Sequence, residues 1–129
     1  MLPCAERLRR RRDFAATYAR KKSWASPLLV LYVRRYPGDD LAVAETRRFG
    51  FVVSKKVAKK AVVRNRIKRR LRAICRRHGP EWRRGFDAIF VVRSASVAAS
   101  YADLDATVAA LVGRANLLAS ATGGVAEGT

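Results

Sequence analysis

A densely cationic stretch holds the residues best suited to chemistry in this chain. Residues 64–77 read Arg-Asn-Arg-Ile-Lys-Arg-Arg-Leu-Arg-Ala-Ile-Cys-Arg-Arg, eight cations in fourteen residues with no acid. Solvated helix faces usually carry acids at i,i+4, whereas here like charges stand at that spacing and mildly destabilise a helix. Phosphates relieve such repulsion, and arginine forks match phosphate oxygens bidentately. The stretch therefore predicts contact with a polyanion.

Aromatic residues among further cations suggest a second kind of chemistry. Phe14 and Tyr18 lie four residues apart, which places them on one face of a helix. Tyr32, Phe49 and Phe51 follow in two apolar runs. Core packing is one interpretation, and a platform on which unpaired bases stack beside a cationic groove is the other. We expect Phe14 and Tyr32 to stack on bases, while Phe49 or Phe51 fits either interpretation.

Groups for acid–base or metal chemistry are scarce. A self-sufficient nuclease needs an acid and a base near the scissile phosphate, or carboxylates that hold metal ions. The chain has one histidine, His78, and helix capping explains Asp103 better than metal binding does. Cys4 and Cys75 lack ligand-like spacing, and Cys75 beside an apolar stripe is typical of a small buried hydrophobic residue. We predict no catalytic residue and no metal site in the protein.

The overall charge agrees with a polyanionic partner. The 129 residues carry 28 lysines and arginines against 10 acids, a formal charge of +18. Residues 1–36 hold ten cations and 47–86 hold sixteen, whereas 87–129 hold two. Nucleic acid is the leading partner and an anionic membrane surface the second. No apolar run approaches the roughly 20 residues of a membrane-spanning helix, and the N-terminus lacks a signal-peptide pattern. These features favour a cytoplasmic protein with reduced thiols.

Periodicity predicts three helices and three strands. Asp13 is the expected N-cap of a helix over 14–22, and apolar runs predict strands at 28–34, 47–54 and 86–93. A helical stripe of apolar residues over 61–77 ends at His78-Gly79-Pro80. Ser100 with Asp103 is a capping-box start for a last amphipathic helix. We expect one domain over 1–118, with a basic run at 7–12, and a disordered tail over 119–129.

Four motifs in this order resemble the protein component of bacterial ribonuclease P. They are Arg-Arg-Asp-Phe at 11–14, Ser-Lys-Lys-Val at 54–57, Ala-Val-Val-Arg-Asn-Arg-Ile-Lys-Arg at 61–69 and Gly-Phe-Asp at 85–87. The similarity runs from about Leu8 to Leu118. It implies an α+β fold, a two-layer α–β sandwich of order αβββαβα. Its central four-stranded sheet would contain a left-handed βαβ crossover, which the dominance of right-handed crossovers would not predict.

The resemblance also implies a function and a set of contacts. In the family, a catalytic RNA subunit removes the 5′ leader of precursor transfer RNA with Mg²⁺, and the protein holds the RNA and the single-stranded leader. It thereby strengthens and broadens substrate binding, with no cofactor and no stable protein partner of its own. The residues that would face the catalytic RNA are Arg64, Asn65, Arg66, Lys68, Arg69 and Arg72. Those that would bind the leader are Phe14, Tyr18, Tyr32, Ser54, Lys55, Lys56 and Arg93.

The chain departs from the family pattern between Val57 and Ala61, where it has one residue more. This leaves open which lysine of 55–60 meets the leader. Two alternative functions also stay open. A ribosomal or RNA-chaperone protein would bind RNA tightly without affecting precursor processing, and a self-sufficient endonuclease would cut RNA by itself.

Overall fold

The computed structural model describes residues 8, 10–20, 22–35, 47–82 and 85–117. The helices are α1 (Arg11–Ala19), α2 (Ala61–His78) and α3 (Tyr101–Arg114), and the strands are β1 (Ser23–Ala25), β2 (Leu29–Arg35), β3 (Arg47–Val52) and β4 (Phe86–Val92). Short 3₁₀ helices follow α2 at Gly79–Glu81 and β4 at Ser94–Ala98. The order αβββαβα is confirmed. The tail over 119–129 lies outside the described residues, and the single-domain boundary stays a prediction.

The four strands form one mixed sheet in the order β1-β2-β4-β3. Strand β2 is antiparallel to both β1 and β4, whereas β3 runs parallel to β4. The periodicity-based prediction of three strands was therefore wrong, because β1 has only three residues and too few alternations to show a period of two. The four-stranded sheet implied by the resemblance is confirmed. Helix α2 makes the β3-to-β4 crossover, whose left hand stays a prediction.

Helix α1 begins earlier than its pattern indicates. Its N-cap is Arg10, in an extended conformation and without a side-chain cap, so the prediction that Asp13 caps the helix was wrong. Asp13 instead lies in the first turn, where its charge is favourable at the positive end of the helix dipole. Its carboxylate is then available to arginines of the sheet. The helix ends at Ala19 rather than at residue 22.

The two longer helices match their patterns. Ile67, Leu71, Ile74 and Cys75 form the buried stripe of α2, and the helix ends before Gly79-Pro80 as predicted. The Oγ of Ser100 accepts a hydrogen bond from the Asp103 backbone N–H at 3.0 Å, and the reciprocal bond confirms the capping box of α3.

The C-terminus of α3 is closed by a Schellman motif. Asn116 adopts a positive φ of 59°, a conformation that asparagine tolerates better than most residues. The backbone N–H of Leu117 donates to the carbonyl of Val112, and that of Asn116 donates to Gly113. Leu117 is thereby turned into the core, where it is 1% exposed.

The main core lies between the sheet and the pair α2 and α3, which together are the two layers of the sandwich. Phe49 packs edge-on against Trp82 and Phe86, and Phe51 stacks on Phe90. Phe49 is therefore a core residue, and Phe51 is half-buried against the same core. Cys75 is fully buried, as expected of a small apolar side chain. Helix α1 lies across the opposite face of the sheet.

Candidate nucleic-acid interface

The register of the sheet defines the face that α1 covers. Arg34, Tyr32 and Val30 of β2 lie opposite Asp87, Ile89 and Val91 of β4, and Arg48, Gly50 and Val52 of β3 align with the same three. Side chains alternate along a strand, so these nine residues share one face. We call the space between this face and α1 the α1 cleft. It has a closed polar end and an open apolar end.

An ion cluster closes the polar end and attaches α1 to the sheet. The carboxylate of Asp87 is fully buried and accepts hydrogen bonds from Arg48 Nε at 2.9 Å and from Arg34 Nη2 at 2.7 Å. The same two arginines reach Asp13 of α1, at 3.2 Å from Arg48 and 3.5 Å from Arg34. Two acids from different elements are thus bridged by two cations, which fixes the angle at which α1 crosses the sheet.

Three aromatic rings line the α1 cleft beyond the ion cluster. The rings of Tyr18 and Tyr32 meet edge to face with centroids 4.8 Å apart, and Phe14 lies over Gly50 of β3. All three aromatic side chains are half-buried, so each is anchored and still reachable from solvent. Burial, and secondarily the neighbouring Tyr32, raises the pKa of the Tyr18 phenol. The structure brings these predicted leader-binding residues together.

The open end of the cleft combines an apolar floor with cations. Val30, Val52 and Val91 are half-buried and extend the floor beyond the rings. Because β3 and β4 are parallel and Val52 pairs with Val91, the segments that follow both strands leave the sheet at the same edge. The exposed residues Ser54, Lys55 and Lys56 follow β3, and the exposed Arg93 follows β4. Unpaired bases and their phosphates fit such a combination of surfaces.

The outer face of α2 is cationic, as the density of lysine and arginine over 64–77 predicts. Asn65, Arg66 and Arg69 are exposed, and Lys68 and Arg72 are half-buried. Within the described part of the chain, none of these five side chains makes a hydrogen bond or an ion pair. Their donors are available to an external anion, and arginine and lysine on one face are suited to the phosphates of a nucleic acid.

Arg64 differs from the other cations of α2. Its Nη1 donates to the carbonyls of Ala58 and Lys59 at 2.8 and 2.7 Å, in the turn that precedes α2. One arm of the guanidinium therefore holds this turn, and its other nitrogens keep their donors for a ligand. The resemblance did not imply this bracing role.

His78 joins α2 to α3. Its Nε2 lies 2.6 Å from an Asp105 carboxylate oxygen, and its ring stacks on Trp82 with centroids 6.5 Å apart. These contacts agree with a residue that ends a helix. Across the described ranges, no three histidine, cysteine or acidic side chains come together as metal ligands would.

The sequence reasoning missed the ion cluster and the role of Gly50. A signal existed for each. Asp87 is the single acid within the otherwise apolar strand β4, and a buried acid needs cationic partners. Gly50 interrupts an aromatic strand, which is typical of a close approach by another group. The partners themselves were not predictable, since Asp13, Arg34 and Arg48 come from three separate elements.

The fold and these surfaces define a small basic α+β protein whose exposed groups are suited to bind a nucleic acid. Among the residues that the structure describes, no helix could span a membrane. Residues 2–116 match the family model described as Ribonuclease P. The chain belongs to this family, the protein component of ribonuclease P, a ribonucleoprotein endonuclease of transfer-RNA processing.

Individual relatives agree with this assignment. The chain is 40% identical to the ribonuclease P protein component of Cyanothece sp. over 92% of its own length and 98% of the relative's. The solved RNase P protein of Thermotoga maritima is 29% identical with a TM-score of 0.72, covering 84% of this chain and 96% of that one. The Staphylococcus aureus RNase P protein, 24% identical with a TM-score of 0.76, covers 88% and 98% and supports the fold. Membership implies a partnership with the ribonuclease P RNA.

Proposed function

We propose that this protein holds the single-stranded 5′ leader of precursor transfer RNA in the α1 cleft while it binds the catalytic RNA through the outer face of α2. The observation that carries the proposal is the α1 cleft itself, in which three half-buried aromatic rings and an apolar floor open toward exposed cations. Bases that stack on Phe14, Tyr18 and Tyr32 leave their phosphates near Lys55, Lys56 and Arg93. Ser54 supplies a hydroxyl at the same edge.

The contact with the catalytic RNA rests on α2. Asn65, Arg66, Lys68, Arg69 and Arg72 would bind its phosphates, together with the part of Arg64 that does not hold the 58–60 turn. Partly neutralised phosphates let the two RNAs approach, so the protein strengthens substrate binding and acts by position and charge.

Bond cleavage belongs to the RNA subunit in this proposal. Mg²⁺ bound by that RNA supplies the hydrolytic chemistry, and this chain's residues act only on the orientation and charge of the RNAs. Within the described residues the protein offers no three-ligand cluster that fits a metal of its own. We place the assembly in the cytoplasm, without a cofactor in the protein and without a stable protein partner.

A three-arm cleavage assay tests the proposal. Precursor transfer RNA is incubated with the protein alone, with the cognate catalytic RNA alone, and with both at low Mg²⁺. We expect leader removal in the combined arm and much weaker removal with RNA alone. Cleavage by the protein alone would establish the endonuclease alternative, and tight RNA binding without any gain in processing would establish the chaperone alternative.

A further inference from the structure

A cavity of about 400 Å³ lies against the edge strand β1, away from the α1 cleft. Trp24 of β1 pairs with Leu31 of β2, so its indole lies on the face of the sheet that carries α3, together with Val33 and Arg35. The α1 cleft uses the other face, on which Tyr32 lies. The volume falls within the range of about 300–1,000 Å³ typical of small-molecule sites.

The walls of the cavity are partly aromatic and apolar. Trp24 is half-buried and packs against the core from one side, which leaves part of its ring toward the cavity. Its indole N–H has no acceptor among the described residues and is not buried. Val33 and Ala115 complete the apolar lining. A flat ring with one polar edge fits this wall, because aromatic faces stack readily on the face of an indole.

Three cations stand at the same cavity. Arg20 and Lys22 lie between α1 and β1, are exposed, and form no side-chain hydrogen bond or ion pair within the described part of the chain. Arg35 donates to the carbonyls of Ala115 and Asn116, both at 2.8 Å. Those carbonyls are the negative end of the α3 dipole, which would repel an anion, and the Arg35 guanidinium compensates for them. Among the described residues that line the cavity, none is acidic.

We propose that this cavity is a second nucleotide site, which binds one unpaired nucleotide with its base on Trp24 and its phosphate on Arg20 and Lys22. The cavity brings together an aromatic face, an indole donor and two exposed cations, none of which has a hydrogen-bond or ion-pair partner among the described residues, and no described residue of the lining is acidic. The site is built from other residues than the α1 cleft and does not depend on leader binding there.

A single-tryptophan protein gives a direct readout. The chain has two tryptophans, and Trp82→Phe leaves Trp24 as the only one while it keeps an aromatic ring against Phe49. Adenosine 5′-monophosphate titrated into the full chain should quench Trp24 fluorescence saturably. Adenosine should bind more weakly, and inorganic phosphate alone should not quench.

Two double variants that lose the same charge distinguish binding in this cavity from general electrostatic attraction of the nucleotide to a basic protein. In the Trp82→Phe background, Arg20→Ala with Lys22→Ala should raise the mononucleotide Kd about tenfold, as the loss of two charge-assisted contacts predicts. Arg11→Ala with Arg12→Ala removes the same charge at the other end of α1 and should change the Kd less than about twofold. If Trp82→Phe does not fold, calorimetry of the same titration on chains that keep both tryptophans gives the same comparison. An absent signal, or equal losses in both double variants, overturns the proposal.

The nucleotide in the working enzyme comes either from the leader or from the catalytic RNA. If the nucleotide comes from the leader, the double variant Arg20→Ala with Lys22→Ala should weaken precursor binding by the reconstituted holoenzyme, and the loss should grow as the leader is lengthened. A catalytic-RNA source predicts weaker binding of that RNA in the absence of precursor. If neither affinity falls, the assignment to RNA is overturned. The mononucleotide titration contains no RNA, so its failure is distinct from a failure of leader binding in the α1 cleft.

Discussion

Gly50 of β3 lies directly beneath the ring of Phe14. A Cβ on Gly50 would stand 2.6 Å from both Cε1 and Cζ of that ring, which is closer than the Cβ atoms of real side chains approach non-bonded heavy atoms. The Phe14 ring therefore packs directly on the backbone of Gly50. The distance between α1 and the sheet depends on the absence of a side chain at this position.

Gly50→Ala should displace the Phe14 ring and disturb the α1 cleft. We expect affinity for leader-bearing precursor to fall about fivefold or more, the lower end of the stacking energy of one base, while precursor without a leader binds as before. Gly113→Ala is the matched control because a Cβ there meets nothing within 4 Å. That change should stabilise α3, whose residue 113 is exposed, by about 1 kcal/mol without altering leader discrimination. Unchanged leader affinity in Gly50→Ala would mean that Phe14 packs between α1 and the sheet and does not stack on a base of the leader.

Asp87→Asn should be strongly destabilising, since it removes the buried charge that Arg34 and Arg48 share. Breaking a buried ion pair costs about 3 kcal/mol or more, measured as the free energy of unfolding in denaturant. Asp105→Asn makes the same charge change where the carboxylate is 23% exposed and pairs with Arg77 and His78. Its cost should be about 1 kcal/mol or less. Similar costs for both variants would mean that the cluster does not anchor α1.

The exposed cations Arg66 and Arg69 of α2 should contribute to the affinity for the catalytic RNA rather than to the stability of the fold. Replacing Arg66 and Arg69 together by alanine should reduce the slope of log affinity against log salt for the catalytic RNA by about two units. The melting temperature should stay the same or rise, because two like charges three residues apart repel each other.

Arg64→Ala is the contrasting variant of the same helix. It should lower the salt slope by about one unit and also lower the melting temperature, since the Ala58 and Lys59 carbonyls lose their donor. A salt slope that neither set of substitutions changes would place the RNA contact outside α2.

The phenol of Tyr18 should ionise at a higher pH in the folded protein than in the unfolded chain. Burial and then Tyr32 raise its pKa above the ordinary 10.0, so the unfolded chain loses this proton at a lower pH than the folded chain. The resulting stabilisation is complete below pH 10.0 and is lost as the pH rises through the folded-state pKa. Tyrosinate absorbance follows the titration, and Tyr18→Phe assigns it. Tyr32→Phe should lower the pKa only partway, because the burial remains; no change would mean that Tyr32 does not act on Tyr18.

His78→Ala should weaken the junction between α2 and α3 and leave holoenzyme cleavage intact. The lost contacts are those to Asp105 and Trp82 and the 3.7 Å contact of Nδ1 with the Glu81 carboxylate, so the measurable effect is a lower melting temperature. Single-turnover cleavage at saturating protein separates stability from chemistry. A lost chemical step with normal RNA binding would contradict the assignment of catalysis to the RNA subunit.

Local sequence was sufficient for the elements with many repeats of their own pattern. Helix α2 has eighteen residues with a stripe at helical spacing and a Gly-Pro end, and α3 has a complete capping box, so both were predictable. Strand β1, with three residues, was not, because its existence depends on hydrogen bonds to β2. The cap of α1 was misjudged for a related reason: Asp13 has the side chain of a cap, yet Arg34 and Arg48 bind it instead.

The sequence by itself determined the chemical character of this protein, since charge, aromatic residues and family motifs are properties of the chain read in order. It therefore indicated a polyanionic partner, the family and the cationic stretch that forms α2. The tertiary structure alone decided which groups meet across the sheet. Strand register decides which residues distant in sequence meet in the Phe14–Gly50 contact, in the ion cluster around Asp87 and in the cavity at Trp24. Register depends on pairing energies summed over whole strands, and no local window of residues contains them.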